Sequence, residues 1–208
     1  MEAFVQARMN SQRLPGKVID LINEKPILQY LLESLEQCSS INQVIVTTSI
    51  DESDNSIISF CEEHGVDFYR GPLENVAKRM LDAANHLNLK SFVRISGDSP
   101  LIDSQIIKRA VCVFENGEYD LVTNTFPRSF PVGQSVEVIR TSTFDIAYGR
   151  MSSPDDFEHV TKYYYDYPDE FRINNISNDK NLSGYRMVVD TQDDLNRMKT
   201  IIGNMTRP

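Results

Sequence analysis

Three basic residues lie close together near the start of the chain and could neutralise a phosphorylated ligand. Residues 3–19 contain Arg8, Arg13 and Lys17 but no acidic residue, in a chain whose formal net charge is −9. Arginine and lysine make charge-assisted contacts with phosphate groups, and Gly16 would let the backbone approach a ligand closely. A G-x-x-x-x-G-K-[ST] phosphate loop is absent. The pattern predicts either a loop that binds a small polyanion such as a nucleoside triphosphate, or a solvated basic surface loop.

Two aspartates, Asp98 and Asp190, each follow a predicted strand and could hold a divalent cation. Asp98 lies in a Gly-Asp-Ser-Pro turn, and Asp190 follows the run Tyr-Arg-Met-Val-Val. Mg²⁺ takes one or two protein carboxylates together with substrate phosphates. An aspartate beside glycine and proline is also a common turn residue. Thr191 and Asp194 match the N-cap and N3 positions of a helix, so we expect both to be structural while Asp190 points into the site.

The elements that must place these residues alternate between short β-rich runs and helical patterns. Apolar periodicity predicts helices that begin near Pro26, near Ile57, near Leu73 and after Asp103. Predicted strands cover residues 4–6, 43–48, 66–69, 91–95 and 119–123. This alternation predicts an α/β fold with a Rossmann-like, mostly parallel sheet and helices on both faces. The carboxyl ends of parallel strands share one edge, so residues 7–17, 96–100 and 190–191 should converge there.

The regular alternation ends near residue 125. Beyond it we predict strands at SVEVI, FRINNI and YRMVV, a helix over residues 156–166, and a last helix from Thr191. We expect one domain over residues 1–208, in which roughly 126–185 contribute sugar-site and dimerisation elements. The tyrosines of residues 163–167 are expected in an interface or the core rather than as a base-stacking platform.

Composition narrows the class of protein. Hydrophobic residues make up 40% and charged residues 25% of the chain, which is ordinary globular usage. No apolar run reaches the length of a membrane span, and the first residues show no secretory pattern, so we expect a cytoplasmic protein with no membrane partner. The negative net charge disfavours nucleic acid. Three widely spaced cysteines disfavour disulfides and a zinc site.

The motif Arg-x-x-Ser-x-Arg-Leu-Pro-Gly-Lys at residues 8–17 resembles the N-terminal signature of the CMP-sugar synthetases. It is most similar to their spore-coat polysaccharide branch, which is related to the acylneuraminate and 3-deoxy-manno-octulosonate cytidylyltransferases. The resemblance continues in order through almost the whole chain, at Arg70-Gly71, Glu74-Asn75-Val76, residues 94–101, Asn124 to Arg128, Glu158 to Thr161, residues 189–191 and Asp194.

The resemblance implies a fold of the nucleotide-diphospho-sugar transferase type and an Mg²⁺-dependent cytidylyltransferase. Such an enzyme transfers CMP from CTP to an acidic or phosphorylated sugar and releases pyrophosphate, for surface-polysaccharide or glycoconjugate biosynthesis. A homodimer is also implied.

The resemblance also implies roles for individual residues. Catalytic roles fall to Arg8, Lys17, Asp98 and Asp190, and the two aspartates would hold Mg²⁺. The implied nucleotide contacts are Gln6, Ala7, Arg8, Ser11, Arg13, Gly16, Lys17, Ser96 and Gly97. The implied sugar contacts are Arg94, Asn124, Arg128, Glu137, Glu158 and His159. A helical histidine is as often an ordinary packed or surface residue, so His159 keeps both interpretations.

Two rival functions remain open, and the chain differs from related sequences at two positions. Val132 and Ser135 stand where related sequences tend to carry acids, which bears on the sugar and on any third metal contact. A nucleotide-sugar-dependent glycosyltransferase would use a similar sheet and a strand-end carboxylate, but it would not need a basic triphosphate loop. A non-catalytic nucleotide-binding subunit would be favoured by a solvent-facing Asp98 or Asp190.

Overall fold

The computed structural model describes residues 1–205; the last three residues of the predicted domain lie outside the described part. The strands are β1 (Glu2–Gln6), β2 (Leu21–Ile22), β3 (Lys25–Pro26), β4 (Gln43–Ser49), β5 (Asp67–Gly71), β6 (Ser91–Ser96), β7 (Leu121–Thr123), β8 (Glu137–Arg140) and β9 (Ile173–Asn175). The α-helices are α1 (Ile27–Glu36), α2 (Asn55–His64), α3 (Val76–His86), α4 (Ser104–Glu115), α5 (Thr141–Tyr148), α6 (Pro154–Glu158), α7 (Lys162–Asp166) and α8 (Gln192–Asn204).

Seven strands form one sheet in the order β5-β4-β1-β6-β8-β7-β9. The strands β5, β4, β1 and β6 pair in parallel, and β7 pairs in parallel with β9. Only β8 in this sheet runs antiparallel to its neighbours β6 and β7. The prediction of a mostly parallel sheet is confirmed.

Helices cover both faces of the sheet, as predicted. On one face, apolar residues of α1, α2 and α4 pack against Val5, Val46 and Val93. On the other face, α3, α5 and α7 pack against Phe4 and Phe92. Side chains alternate between the two faces along β1, so a strand buried on both sides must be apolar at nearly every position.

The helix ends follow the local chemistry of the sequence. The Asp103 carboxylate accepts a hydrogen bond from the Gln105 backbone N–H at the start of α4. Gly65 ends α2 in the left-handed region, with φ +65°. At the start of α8, Thr191 and Asp194 form the predicted capping box. The predicted helix boundaries in the first 125 residues are therefore close to the observed ones.

The predicted strand at residues 185–189 is wrong. Its pairing is limited to an isolated bridge between Val132 and Arg186. Gly133 then leaves the extended conformation with φ +98°, and a Cβ there would lie 2.5 Å from the Met187 carbonyl carbon. A side chain at Gly133 would therefore collide with the backbone of Met187, and residues 185–189 lie against this turn without forming a strand of the sheet.

The predicted helix over residues 156–166 is also wrong, because the chain forms two short helices, α6 and α7. Between them, Val160 is fully buried and the Thr161 hydroxyl donates to Glu137 Oε1 at 2.6 Å. Both residues are β-branched and are weak helix formers. These tertiary contacts interrupt a helix that apolar periodicity alone predicts as continuous. Helix α5 and the β2–β3 hairpin were not predicted.

Candidate active site

A cavity of about 930 Å³ opens at the carboxyl edge of the sheet, beyond β1 and β6. This is where ligands bind in open parallel sheets, and the volume is in the upper part of the range for ligand cavities. Its walls come from the first loop (residues 7–17), the start of α3, the turn after β6 and residues 154–159. The predicted site residues that line it are Gln6, Arg8, Ser11, Arg13, Lys17, Ser96, Asp98, Glu158, His159 and Asp190.

A buried carboxylate holds the first loop in place. Asp54 is fully buried and accepts a hydrogen bond from the Met9 backbone N–H at 2.7 Å. It also accepts from the Thr48 hydroxyl and the Ser49 N–H at the end of β4. Sequence reasoning missed Asp54, because it lies in an acidic segment that looks solvated and its partners are distant in sequence.

Lys17 lies between Asp98 and Asp190, which we call the aspartate pair. Its Nζ is 2.6 Å from Asp98 Oδ2 and 2.9 Å from Asp190 Oδ1. The lysine side chain is only 9% exposed, and the two aspartate side chains are 17% and 15% exposed. The structure thus brings together two carboxylates that are 92 positions apart in sequence, as predicted, although Asp190 does not follow a strand of the sheet.

The backbone explains how Asp190 reaches this position. The Val189 N–H donates to the Asp98 carbonyl at 2.9 Å, which joins residues 185–189 to the turn after β6. The Asp194 carboxylate accepts from the N–H groups of Asp190 and Thr191 at 3.2 and 3.1 Å. Burial opposes the charge of Asp194, but its hydrogen bonds, above all from Arg186, hold its pKa well below the ordinary value.

Each cation of the first loop has an acidic partner across the cavity. Arg8 makes a two-pronged pair with Glu158, with Nη1 to Oε2 at 2.9 Å and Nη2 to Oε1 at 2.5 Å. Arg13 contacts Asp190, and Lys17 contacts both members of the aspartate pair. The sequence suggests a locally positive loop; the structure corrects this, because folding brings three carboxylates to the three cations.

The aspartate pair fits a site for Mg²⁺ completed by a ligand. Both carboxylates already approach a single ammonium group, and both face the cavity. Within residues 1–205 there is no group of three or more histidine, cysteine or acidic side chains arranged to hold a metal ion. Two carboxylates suffice for Mg²⁺ when nucleotide phosphates supply further oxygens.

Three predicted nucleotide contacts, Ala7, Gly16 and Gly97, do not line the cavity. Ala7 is 1% exposed. The Gly97 N–H donates to the Gln6 carbonyl at 2.8 Å, and a Cβ on Gly97 would lie 2.9 Å from that oxygen. Gly16 takes φ +77°, and its N–H donates to the Met9 carbonyl at 2.8 Å. The two glycines therefore allow close backbone packing and shape the first loop.

Four predicted sugar contacts also lie off the cavity. The Asn124 amide is buried and bonds to the backbone of Gln134 and Val136. Arg128 donates to the Ser135 hydroxyl at 2.9 Å. Related sequences tend to carry an acid at position 135, so the arginine here has a neutral partner instead. Burial lowers the pKa of Arg128. The other two residues, Arg94 and Glu137, form an ion pair behind the cavity wall.

The predicted interface or core tyrosines divide between three environments. Tyr163 and Tyr164 are buried in the core. Tyr165 is half-buried and donates to Glu137 Oε1 at 2.5 Å. Tyr167 is exposed.

The sequence model of the cytidylyltransferases matches residues 3–201 of this chain. The chain belongs to the cytidylyltransferase family. The solved structure of a cytidylyltransferase from Leptospira borgpetersenii superposes with a TM-score of 0.94 at 30% identity, over 99% of this chain and 88% of that one. These matches confirm the predicted family and the predicted fold.

Two curated relatives extend the comparison. The spore coat polysaccharide biosynthesis protein SpsF of Bacillus subtilis is 26% identical over 95% of this chain and 84% of its own length. The 3-deoxy-manno-octulosonate cytidylyltransferase 2 of Hydrogenovibrio crunogenus is 32% identical over 69% of this chain and 57% of its own length. The predicted similarity to the spore-coat branch is therefore confirmed. In the described part of this cytidylyltransferase, every helix is too short or too polar to cross a membrane.

Proposed function

We propose that this cytidylyltransferase transfers CMP from CTP to an acidic or phosphorylated sugar and releases pyrophosphate, for surface-polysaccharide or glycoconjugate biosynthesis. The observation that carries the proposal is the aspartate pair, whose oxygens lie 2.6 and 2.9 Å from one lysine ammonium group at the edge of the cavity. Family membership supports CTP as the nucleotide. The relative named for 3-deoxy-manno-octulosonate supports an acidic sugar as the acceptor.

In this proposal the first loop orients the triphosphate. Arg8, Arg13 and Lys17 bind the β- and γ-phosphates, and Ser11 and Gly16 shape the loop around them. An acceptor oxygen of the sugar attacks the α-phosphorus in line, the bond to the β-phosphate oxygen breaks, and pyrophosphate leaves. Such transfers depend mainly on positioning and electrostatics.

The aspartate pair would hold Mg²⁺ in the same proposal. When bound there, Mg²⁺ would neutralise charge on the α-phosphate and on the departing pyrophosphate. Glu158 and His159 line the cavity, and in this proposal they contact the sugar. Ser96, at the end of β6, also lines the cavity, and in this proposal it contacts the nucleotide.

The ion pairs predict that nucleotide and metal bind as a unit. The three cations of the first loop are each paired with a carboxylate, and Glu74 and Asp155 also line the cavity, so a triphosphate alone would meet no net positive charge. Divalent metal at the aspartate pair would release Lys17 for the phosphates. We therefore expect the affinity for CTP to rise steeply with Mg²⁺ concentration, which calorimetric titration at several Mg²⁺ concentrations would measure.

The rival functions differ in their products. A glycosyltransferase would consume a nucleotide sugar and release no pyrophosphate. A non-catalytic subunit is less well supported, because Asp98 and Asp190 are mostly buried and share one partner rather than facing solvent.

Pyrophosphate release is the test of the proposed function. CTP, UTP, ATP and GTP would each be assayed with Mg²⁺ against a set of nonulosonic acids and sugar phosphates. The proposal expects release with CTP and one acceptor class. Activity with nucleotide sugars alone, or CTP binding without turnover for any acceptor, would contradict it.

We also propose a cytoplasmic homodimer assembled through residues 126–185. Three aromatic side chains of this segment, those of Phe126, Tyr167 and Tyr185, are exposed by 38%, 48% and 66%. Light scattering at micromolar concentration should report a particle of twice the chain mass. A particle of single chain mass would contradict the proposal.

A further inference from the structure

A polar network leads from a buried carboxylate to one residue of the cavity. Arg94 of β6 donates to Gln6 Oε1 from Nε at 3.2 Å and from Nη2 at 2.8 Å. Its Nη1 donates to Glu137 Oε2 at 2.5 Å. Of these three residues, Gln6 lines the cavity and the other two do not. We call the three residues the Arg94 network.

Glu137 gives this network a fixed negative charge. Its side chain is 5% exposed, and its Oε1 accepts hydrogen bonds from the hydroxyls of Thr161 and Tyr165 at 2.6 and 2.5 Å. Burial opposes ionisation, but Arg94 and the hydroxyl donors hold the pKa of Glu137 below its ordinary value. Glu137 is therefore an anion, and it holds the Arg94 guanidinium in one place.

Arg94 in turn leaves the Gln6 amide one favourable orientation. A guanidinium carries five N–H donors and no acceptor, so only the amide oxygen of Gln6 can face it. The reversed amide would set N–H groups against N–H groups and remove both hydrogen bonds. Gln6 Nε2 is thus directed away from Arg94, and it has no hydrogen-bond partner within the part of the chain that the structure describes.

We propose that Gln6 is a specificity-determining residue that donates a hydrogen bond to a substrate oxygen, and that Arg94 and Glu137 are positioning residues that fix its amide. Gln6 pairs in register with Ser96, two residues before Asp98, which places the donor beside the aspartate pair. Its ligand is a carbonyl, carboxylate or phosphate oxygen of either the nucleotide or the sugar. The inference rests on the proposed function and changes the expected sugar contacts Arg94 and Glu137 into supports of Gln6.

Three variants separate recognition from stability. Gln6→Glu keeps an oxygen for Arg94 but removes both N–H donors. Glu137→Gln removes the charge that holds Arg94, and the double variant Gln6→Glu/Glu137→Gln restores the total charge around Arg94. The matched control is Gln105→Glu, an exposed glutamine on α4.

Steady-state kinetics and thermal unfolding would be measured for each variant. Gln6→Glu and Glu137→Gln should each raise KM at least tenfold for the same substrate, with a smaller change in kcat. A higher KM for CTP would identify a nucleotide oxygen as the ligand of Gln6. A higher KM for the acceptor would identify a sugar oxygen. The double variant should regain thermal stability relative to Glu137→Gln without regaining the KM of the wild type. The control should match the wild type in both measurements.

Unchanged KM values for both substrates in Gln6→Glu would overturn the proposal. So would a double variant in which KM and stability recover together, since that would make the network purely structural. If the wild type releases no pyrophosphate, the proposed function fails; the network is then tested by calorimetric affinity for CTP and for the acceptors. Equal affinities of wild type and Gln6→Glu for every ligand that the wild type binds would overturn it there.

Discussion

Two groups of charged residues lie beside the same sheet edge, and they differ in their access to the cavity. The first group, which we call the cavity ion pairs, joins the three cations of the first loop to Glu158 and the aspartate pair. Within it, Arg8 and Glu158 are 30% and 28% exposed and both line the cavity. In the Arg94 network, Glu137 is 5% exposed and is closed off by hydroxyl donors. The same kinds of side chain therefore do two different things. In the cavity ion pairs a ligand can replace one partner, whereas in the Arg94 network the partners stay fixed.

The difference follows from the cost of moving a charge. In a pair that faces the cavity, the cation can exchange its carboxylate for a phosphate and the carboxylate can exchange its cation for a metal ion, because each released group stays near water and other charges. A carboxylate buried among donors has no such alternative, and breaking its pair leaves an uncompensated charge. Exchangeable pairs suit ligand binding, whereas the closed network suits the orientation of a neighbouring side chain.

The largest expected effect is on the stability of the closed network. Glu137→Ala should lower the free energy of unfolding by about 3–5 kcal/mol, because it removes the ion-pair partner of Arg94, whose side chain is only 20% exposed, and leaves the Thr161 and Tyr165 hydroxyls without their acceptor. Glu158→Ala breaks a pair whose side chains reach the cavity and are 28–30% exposed, and it should cost about 0–1 kcal/mol. Urea unfolding of both variants measures the contrast. Equal losses would show that the two groups do not differ in the way proposed.

The next effect concerns the aspartate pair. Asp98→Asn and Asp190→Asn should each lower the rate of pyrophosphate release about 100-fold or more, since one charged oxygen ligand is lost from the reacting centre. Metal-free binding of CTP should not weaken and should become tighter, because Lys17 loses a competing carboxylate. Asp193→Asn, an exposed aspartate in the first turn of α8, is the matched control.

Turnover and calorimetric titration with and without Mg²⁺ distinguish the outcomes for these variants. A near wild-type rate at saturating Mg²⁺ would reduce the substituted aspartate to a turn or cap residue. Weaker metal-free binding of CTP would show that the cavity ion pairs do not exchange as proposed.

The contrast also explains what could be predicted from the sequence. Helix α4 follows from the cap at Asp103 and its apolar spacing, which are local signals. The convergence of Asp98 with Asp190 was predicted from the rule that parallel strands share an edge, but the rule accounts only for Asp98, because the backbone hydrogen bond from Val189 to Asp98 places Asp190. The family resemblance at residues 8–17 added the nucleotide and the chemistry.

The remaining features depend on tertiary contacts that no local pattern encodes. Asp54 supports the first loop through the Met9 backbone, which has no sequence signature. Arg94 was expected at the sugar, yet its guanidinium is held behind the wall by Glu137. The break between α6 and α7 arises from a Thr161 contact with that same carboxylate. A residue type can indicate chemistry, but burial decides whether it meets a ligand.

A moderate effect is expected for the cations of the first loop. Lys17→Ala and Arg13→Ala should each remove a charge-assisted phosphate contact, which typically contributes about 1.5–3 kcal/mol. Each substitution should therefore weaken CTP binding at least tenfold. The loss should be larger for Lys17, which is buried, than for Arg13, whose side chain is 65% exposed.

Calorimetry with Mg²⁺ present would measure both affinities, and circular dichroism would confirm that each variant is folded. Lys108→Ala, at an exposed position of α4, is the control for loss of a positive charge. Unchanged CTP affinity in both variants would reduce the first loop to a surface feature.

The smallest effect tests the support of Asp190 by Asp194 and depends on pH. Hydrogen bonds outweigh burial and lower the pKa of Asp194 in the folded state, so its charge stabilises the fold above its unfolded pKa of about 3.9. That stability is lost as the pH falls from there through the lower folded pKa. Asp194→Asn should therefore cost about 1 kcal/mol at pH 7, the usual size of a lost capping interaction, since Asp194 is the N3 member of the capping box. The difference from wild type should shrink below about pH 4. Urea unfolding of both proteins between pH 7 and pH 3 measures this. A difference that does not change with pH would show that shape alone, and not the charge, holds the start of α8 beside the cavity.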